Sequence, residues 1–225
     1  ILMRLYHLIL SDLHFPLHDE AAVRSLLSEV KGARIENLHL LGDLYDCAAF
    51  SRFIKTPSEV AQASQTLADG KAYLQSLISK VNAKKVFFYI GNHEERLLKY
   101  ILRNAPALFG TVTYKLIAPE GAELVEHRWG KAFASHFGTI RFMHGGLVRK
   151  NPGATPLEHI RAFQRENIVV GHSHRLAVVY DRHYFGVESG HLSLPEAHDY
   201  CTVPPCWTRG FSYIDASGPR VIKLE

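Results

Sequence analysis

Five short polar clusters, each at the end of an apolar run, constrain this chain more than any other feature. They are Asp12-Leu13-His14, Gly42-Asp43, Gly91-Asn92-His93-Glu94, His144-Gly145 and Gly171-His172-Ser173-His174. The runs before them, residues 4–10, 37–41, 85–90, 139–143 and 168–170, are short and apolar, as buried strands are. Amphipathic stretches lie between several of them. Residues 19–30 predict a helix capped by Asp19, and residues 58–81 a long one with Ser58 as cap residue and Glu59 close behind. Residues 93–104 and 156–166 predict two more. Residues 105–138 mix Pro, Gly and aromatics and predict an irregular insertion or lid within a single domain of residues 1–225. Beyond residue 175 short strands dominate, at 176–180, 184–187, 210–214 and 220–224. Strands alternating with helices, then strands alone, predict an α/β domain with a second, largely antiparallel sheet. Ligands of open α/β sheets bind at the carboxyl ends of strands, so the five clusters are expected to meet at one edge.

Composition narrows the class. A length of 225 residues supports one large domain with a real core. The chain is 47% hydrophobic and 21% charged, as expected of a soluble globular protein, and its net charge of +4 suits anionic substrates. No segment reaches membrane-spanning length, and no membrane partner is expected. The apolar run at 5–10 is too short for a secretory signal and contains His7. Three cysteines at irregular spacing, Cys47, Cys201 and Cys206, argue against a disulfide framework; a cytoplasmic location is expected. Cys201 and Cys206 lack the second pair that a structural zinc site needs.

The residue types in the clusters suit metal. Aspartate oxygens and neutral imidazoles bind divalent first-row ions such as Zn, Mn, Fe and Ni, and no thiolate belongs to the set. Glycines before Asp43, Asn92 and His172 fit sharp turns and close approach to an ion. In a strand-like segment residues i and i+2 face the same way, so Asp12 with His14, and His172 with His174, are expected as side-by-side pairs. One carboxylate shared by two ions would hold them roughly 3.5–4 Å apart. A single His or Gly-Asp is usually structural; five such clusters in this order, all at strand ends, are not explained that way.

The set resembles the calcineurin-like metallophosphoesterases. Their pattern runs Asp-x-His, Gly-Asp-x-x-Asp, Gly-Asn-His-Asp/Glu, His and Gly-His-x-His. Here it stands as Asp12/His14, Gly42-Asp43-Leu44-Tyr45-Asp46, Gly91-Asn92-His93-Glu94, His144 and Gly171-His172-Ser173-His174. The resemblance implies a four-layer αββα sandwich of two mixed β-sheets flanked by helices. It implies two divalent ions, manganese favoured among Mn, Fe, Zn and Ni. One would be held by Asp12, His14, Asp43 and His174, the other by Asp43, Asn92, His144 and His172, with Asp43 bridging. Glu188-Ser189-Gly190, together with Pro204-Pro205-Cys206-Trp207-Thr208-Arg209-Gly210-Phe211, looks like the C-terminal part of phage and prophage members.

The expected reaction is phosphoester hydrolysis. Two divalent ions lower the pKa of a shared water, so that a bridging hydroxide is available for in-line attack. His93, not assigned as a ligand, is the expected general acid. The family pattern implies that Asp46 hydrogen-bonds His93 and sets its tautomer. Glu94 is expected to begin a helix, where its charge suits the dipole, or else to hold His93. Asp46 is followed by Cys47-Ala48-Ala49, not the Arg-Gly of phosphoprotein phosphatases, so one phosphate-clamping arginine is missing. Arg96 and Arg175 stand near the clusters, as phosphate ligands or as solvated charges. Few arginines favour a phosphodiester, small or nucleotide-like. The alternatives are a phosphomonoesterase, a nuclease acting on DNA or RNA, and a non-catalytic scaffold, which should have lost ligands that this chain keeps. The aromatics Phe109, Tyr114, Trp129, Phe133 and Phe137 either stack bases or, as favoured, form a small core of the insertion. His191 and His198 are expected at the surface or in the substrate cleft.

Overall fold

The computed structural model describes residues 3–163, 166–198 and 206–225. The first half winds strand, helix, strand. β1 (Arg4–Leu10) leads to α1 (Glu20–Glu29), β2 (Arg34–Leu40), α2 (Pro57–Val81), β3 (Lys85–Tyr89) and α3 (Glu95–Asn104). Asp19 caps α1, its carboxylate accepting from the amides of Ala21 and Ala22. α2 starts one residue before Ser58, and its cap lies two residues before it. Thr56 is its cap, in a reciprocal box with Glu59, and Pro57 takes the first helical position, where no N–H is required.

Residues 105–138 are not a separate excursion. They carry two 3₁₀ turns, then β4 (Glu123–Val125) and β5 (Lys131–Ser135). β4 extends the first sheet beside β3, and β5 opens the second beside β6 (Gly138–Met143). The segment therefore carries the chain from one sheet to the other. α4 (Ala154–Ala162), β7 (Asn167–Val170), β8 (Leu176–Asp181) and β9 (Tyr184–Ser189) follow, and then β10 (Gly210–Asp215) and β11 (Gly218–Lys223).

The strands form two mixed sheets, β11-β10-β1-β2-β3-β4 and β5-β6-β7-β9-β8. β1, β2 and β3 are mutually parallel, as are β6, β7 and β9. The late strands do not make one antiparallel sheet, as their order along the chain suggests. The β8–β9 hairpin joins the second sheet, while the β10–β11 hairpin crosses back and pairs antiparallel with β1. Alternation in a strand reports its two faces but not its partner.

Burial sorts the layers. Leu38, Leu40 and Phe88 face α1 and α2 and pack on Leu26, Leu74 and Leu77. Ile9, Phe87 and Tyr89 point the other way and meet Phe142, Val169 and Val187 of the second sheet. Ile168 and Val170 pack on Ile160 of α4. Helix, sheet, sheet, helix is thus the order through the molecule. Phe133 and Phe137 pack on the core between the sheets, and Trp129 lies edge-on to Phe163, so these aromatics do not form a core of their own. Two imidazoles sit in that apolar layer. His7 Nδ1 lies 2.9 Å from His39 Nε2, and His39 Nδ1 lies 2.9 Å from the Tyr89 hydroxyl. His39 also stacks on Phe142 at 3.8 Å. Burial pushes His7 down to about 4 and holds His39 well below the ordinary range.

Candidate metal centre

All five clusters leave the carboxyl ends of parallel strands and converge. Asp12 and His14 follow β1, Asp43 and Asp46 follow β2, and Asn92 and His93 follow β3. His144 follows β6, and His172 and His174 follow β7. The convergence bends the backbone. Eight described residues other than glycine have positive φ, and Asp12, His14, Asp43, His172 and His174 are five of them. Such conformations are unfavourable for these residue types and persist where surrounding structure enforces them. These residues are therefore not in extended backbone. The pair His172/His174 accordingly splits, one imidazole going to each of two clusters.

Asp12, His14 and His174 bring their ligand atoms within 4.8 Å of one another, and so do Asp43, His144 and His172. Asp43 lies between the clusters, its Oδ2 3.2 Å from His144 Nε2 and 4.0 Å from His14 Nε2. Asn92 joins the second group, its Oδ1 3.1 Å from His144 Nε2. Asp12 Oδ1 lies 3.1 Å from His174 Nε2, yet it is buried and makes no hydrogen bond.

The outer atoms are tied back. His144 Nδ1 lies 2.9 Å from the carbonyl of Leu41, which can only accept, so Nδ1 donates there and Nε2 faces inward, where it would present a lone pair once a cation displaces its proton. His14 Nδ1 lies 3.3 Å from Asp46 Oδ1, leaving its Nε2 directed at Asp12, Asp43 and His174. The backbone amides of His172 and His93 donate to Asp12 Oδ2 and Asp43 Oδ1, each at 2.9 Å. Oxygens and imidazole lone pairs so oriented fit divalent cations. Two glycines permit the approach. A Cβ on Gly42, whose φ is +87°, would lie 2.7 Å from the His144 ring, and one on Gly91 would overlap Asp43.

Electrostatics follow from burying carboxylates among imidazoles. Burial opposes ionisation of Asp43, but the charges of His144, His93 and His14 outweigh it and hold the group well below the carboxylate range. Asp12 is likewise lowered against burial, by His174 and then His144. Burial alone would depress His144; Asp43 beside it instead pushes the imidazole up to about 10. His172 is pushed down to about 4 by burial and by the charge of His144. This excess of buried charge is what a bound cation would neutralise.

Asp46 holds two imidazoles, His93 Nδ1 at 3.1 Å and His14 Nδ1 at 3.3 Å. Arg96 Nη1 donates to the Asp46 carbonyl, and its Nη2 lies 2.9 Å from His93 Nε2. With arginine donating, the His93 proton sits on Nδ1. Burial lowers the His93 pKa, but the charges of Asp43 and Asp46 prevail and raise it. Arg96 and Arg175 both line a polar cavity of about 320 Å³ with Asp43, Asn92, His93 and His172.

Four residues play parts that the sequence did not assign. Glu94 begins α3 at its N-cap position, as expected, but its side chain neither caps the helix nor holds His93. Wholly buried, its carboxylate accepts from the amides of Gly91, Asp43, Leu44 and Tyr45 at 2.7–3.0 Å, fastening the loop after β3 to the loop after β2. His191 and His198 are buried and not at the surface, and His198 lines a cleft, the other place expected for it. His191 stacks on His174 at 5.4 Å, and His198 meets His14 edge-on at 4.7 Å. Trp207 packs on His174 at 4.0 Å. Nothing in the spacing of His191 or His198 signals this, whereas the Glu after Gly-Asn-His was visible and assigned the wrong partner. Cys206 is free and exposed; Cys201 and Pro204-Pro205 fall outside the described residues.

A sandwich of two mixed sheets with buried His/Asp clusters at its strand ends is the build of a metal-binding phosphoesterase. Residues 7–198 match the calcineurin-like phosphoesterase family, and the chain belongs to it. No curated protein matches the chain in sequence. Among solved structures, Vps29 of Chaetomium thermophilum is 12% identical, with a TM-score of 0.51 over 97% of this chain and 96% of that one. An archaeal phosphodiesterase is 13% identical, with a TM-score of 0.50 over 97% and 99%. A Vps29 single mutant from Entamoeba histolytica is 12% identical, with a TM-score of 0.50 over 97% of each chain. At such identities the likeness is one of fold. Among the described residues, no helix is long and apolar enough to cross a membrane.

Proposed function

We infer that this protein hydrolyses phosphodiesters with two divalent cations, manganese favoured, that share Asp43. The observation that carries the reading is the anchoring of His14 and His144. Each imidazole is held through Nδ1, by Asp46 and by the Leu41 carbonyl, so that its Nε2 faces the oxygens of Asp12, Asp43 and Asn92. Asp12, His14, Asp43 and His174 would hold one cation; Asp43, Asn92, His144 and His172 would hold the other. When bound, the cations supply Lewis acidity toward phosphoryl oxygens and acidify water.

The chain's own groups do the rest. Arg96 and Arg175 offer guanidinium hydrogens to non-bridging oxygens in the polar cavity. Asp46 holds His93 by Nδ1 and, with Asp43, favours its protonated form, so once Arg96 gives way Nε2 takes a proton from solvent and gives it to the leaving alcohol oxygen. The leaving oxygen takes the place beside Nε2 that Arg96 fills here. A diester is favoured over a monoester because no arginine follows Asp46 and, among the described residues, two guanidinium groups line the cavity. The fold likeness to an archaeal phosphodiesterase agrees with that choice. A cytoplasmic setting and kinship with phage metallophosphoesterases belong to the same proposal; they rest on the cysteine pattern and on the tail around Trp207.

The test is a panel of aryl mono- and diesters, cyclic nucleotides and single- and double-stranded nucleic acids, with added manganese. Diester turnover by the native chain, abolished in Asp43→Asn together with metal binding, is the expected result. Turnover confined to monoesters, or an Asp43→Asn variant that still holds two metals, contradicts it.

A further inference from the structure

A second cavity, of about 680 Å³, opens beside the metal centre, and the reaction proposed above does not use it. Asp46, Arg96 and His198 form its inner end. Arg96 also lines the polar cavity, so the two spaces share a wall. Away from that end the lining turns apolar. Phe15 and Leu17 come from the loop after β1, Phe50 and Phe53 from the loop after β2, and Ala63 and Leu67 from α2. Phe53 is 65% exposed, although the cavity lies against it.

Two of the polar groups on the α2 side are already engaged. The Glu59 carboxylate accepts from the amide and hydroxyl of Thr56, and the Thr66 hydroxyl donates to the Gln62 carbonyl. Among the described residues that line the cavity, Arg96 at its inner end is the one cation. A polynucleotide leaving by this route would set further phosphates against Leu67 and the Glu59 carboxylate, with Arg52 and Lys55 only beside the exposed Phe53, which is unfavourable. Cavities of this size, mostly apolar with a few polar groups at one end, are typical small-molecule sites.

We propose that this groove binds the alcohol half of the substrate, and that this half is a neutral, apolar group of aromatic or branched aliphatic character. The inference rests on the phosphodiesterase reading for its position relative to the scissile bond. His93 Nε2 touches Arg96, and Arg96 lines the groove, so an alcohol oxygen protonated at His93 leads its carbon skeleton into that space. Ala63, Phe50 and Phe53 then set specificity by shape and apolar contact.

The experiment has two arms. In the first, two methyl aryl phosphodiesters with leaving phenols of matched acidity, one of a single ring and one of two fused rings, are compared with a dinucleotide. The fused-ring ester is expected to exceed the single-ring ester in kcat/KM by about tenfold or more, with the dinucleotide lowest. Ala63→Trp, which fills the groove from the half-buried face of α2, should bring the ratio of the two aryl esters near one. In the second arm, neutral 2-naphthol is titrated into metal-free protein and followed by its fluorescence. It should bind the native chain and His93→Ala, bind Phe53→Ser more weakly, and fail to bind Ala63→Trp. Phe53 is exposed enough that its serine variant keeps the fold if the tryptophan variant does not. Hydrolysis of all esters irrespective of alcohol size, with no naphthol binding, overturns the groove and leaves the phosphodiesterase reading intact. Naphthol binding without hydrolysis of any ester overturns the enzyme reading and leaves the groove. Preference for the dinucleotide overturns the apolar assignment.

Discussion

Replacing Glu94 by alanine should damage the fold before it damages chemistry. Its carboxylate accepts four backbone amides and is wholly buried. A hydrogen bond to a charged group contributes about 1.5–3 kcal/mol net, so four at the low end come to roughly 6 kcal/mol. Keeping that charge buried beside Asp43 acts in the opposite direction. Burial first, then Asp43, raises the Glu94 pKa from 4.5 to about 7 with those amides already counted, so the carboxylate is about half ionised at neutral pH and about half of that gain is realised. The metal-free Glu94→Ala variant should therefore lose about 3 kcal/mol. For a chain of this size each kcal/mol moves Tm by about 2–4 °C, so the midpoint should fall by roughly 6–12 °C. The assay is a thermal melt of both proteins at neutral pH in the presence of a chelator. The loosened loop should also weaken metal binding, since the Asp43 and Gly91 amides lose their anchor. A midpoint drop under about 3 °C, with native metal affinity, would refute the assignment of Glu94 as the clasp between the two loops.

His93→Ala should keep the fold and the bound metal while slowing hydrolysis of an aryl phosphodiester about 100-fold or more; unchanged turnover removes His93 from the proton transfer. The paired imidazoles between the sheets should make stability fall in acid. The folded pKa of His7 is depressed to about 4 by burial, against 6.5 unfolded, so its contribution is whole above 6.5 and is lost as pH falls from there toward 4. His7 alone should cost about 3 kcal/mol over that window. Urea denaturation of the metal-free chain should therefore be steeper in pH than that of a His7→Leu/His39→Leu variant, and matching slopes would contradict the neutral buried pair.

Much of this molecule was legible from periodicity and spacing. The run at 4–10 became β1 with the same limits, because seven apolar-rich residues ending at a Ser-Asp loop admit little else. The seven ligand candidates and His93 came together because each follows a strand whose direction the sheet fixes. What failed was long-range or local in ways a pattern does not carry. The C-terminal hairpin read correctly as strands, yet its pairing with β1 depends on a chain reversal that no alternation encodes. Residues 105–138 looked irregular because β4 and β5 are edge strands of three and five residues, too short to declare a period. Glu94 sits at a helix start, where a carboxylate is ordinarily a dipole partner, and only the folded loops reveal four amides aimed at it. His191 and His198 had no neighbours in sequence to set them apart from surface histidines.

The proposal stands or falls most directly on where metal sits. A crystal of the protein grown with manganese, with anomalous scattering measured at the metal edge, should contain two peaks roughly 3.5–4 Å apart on either side of Asp43. One should touch Asp12, His14 and His174, and the other Asn92, His144 and His172. No peak at Asp43, or one ion bound only by residues outside these two groups, would contradict a shared aspartate as the centre of the site.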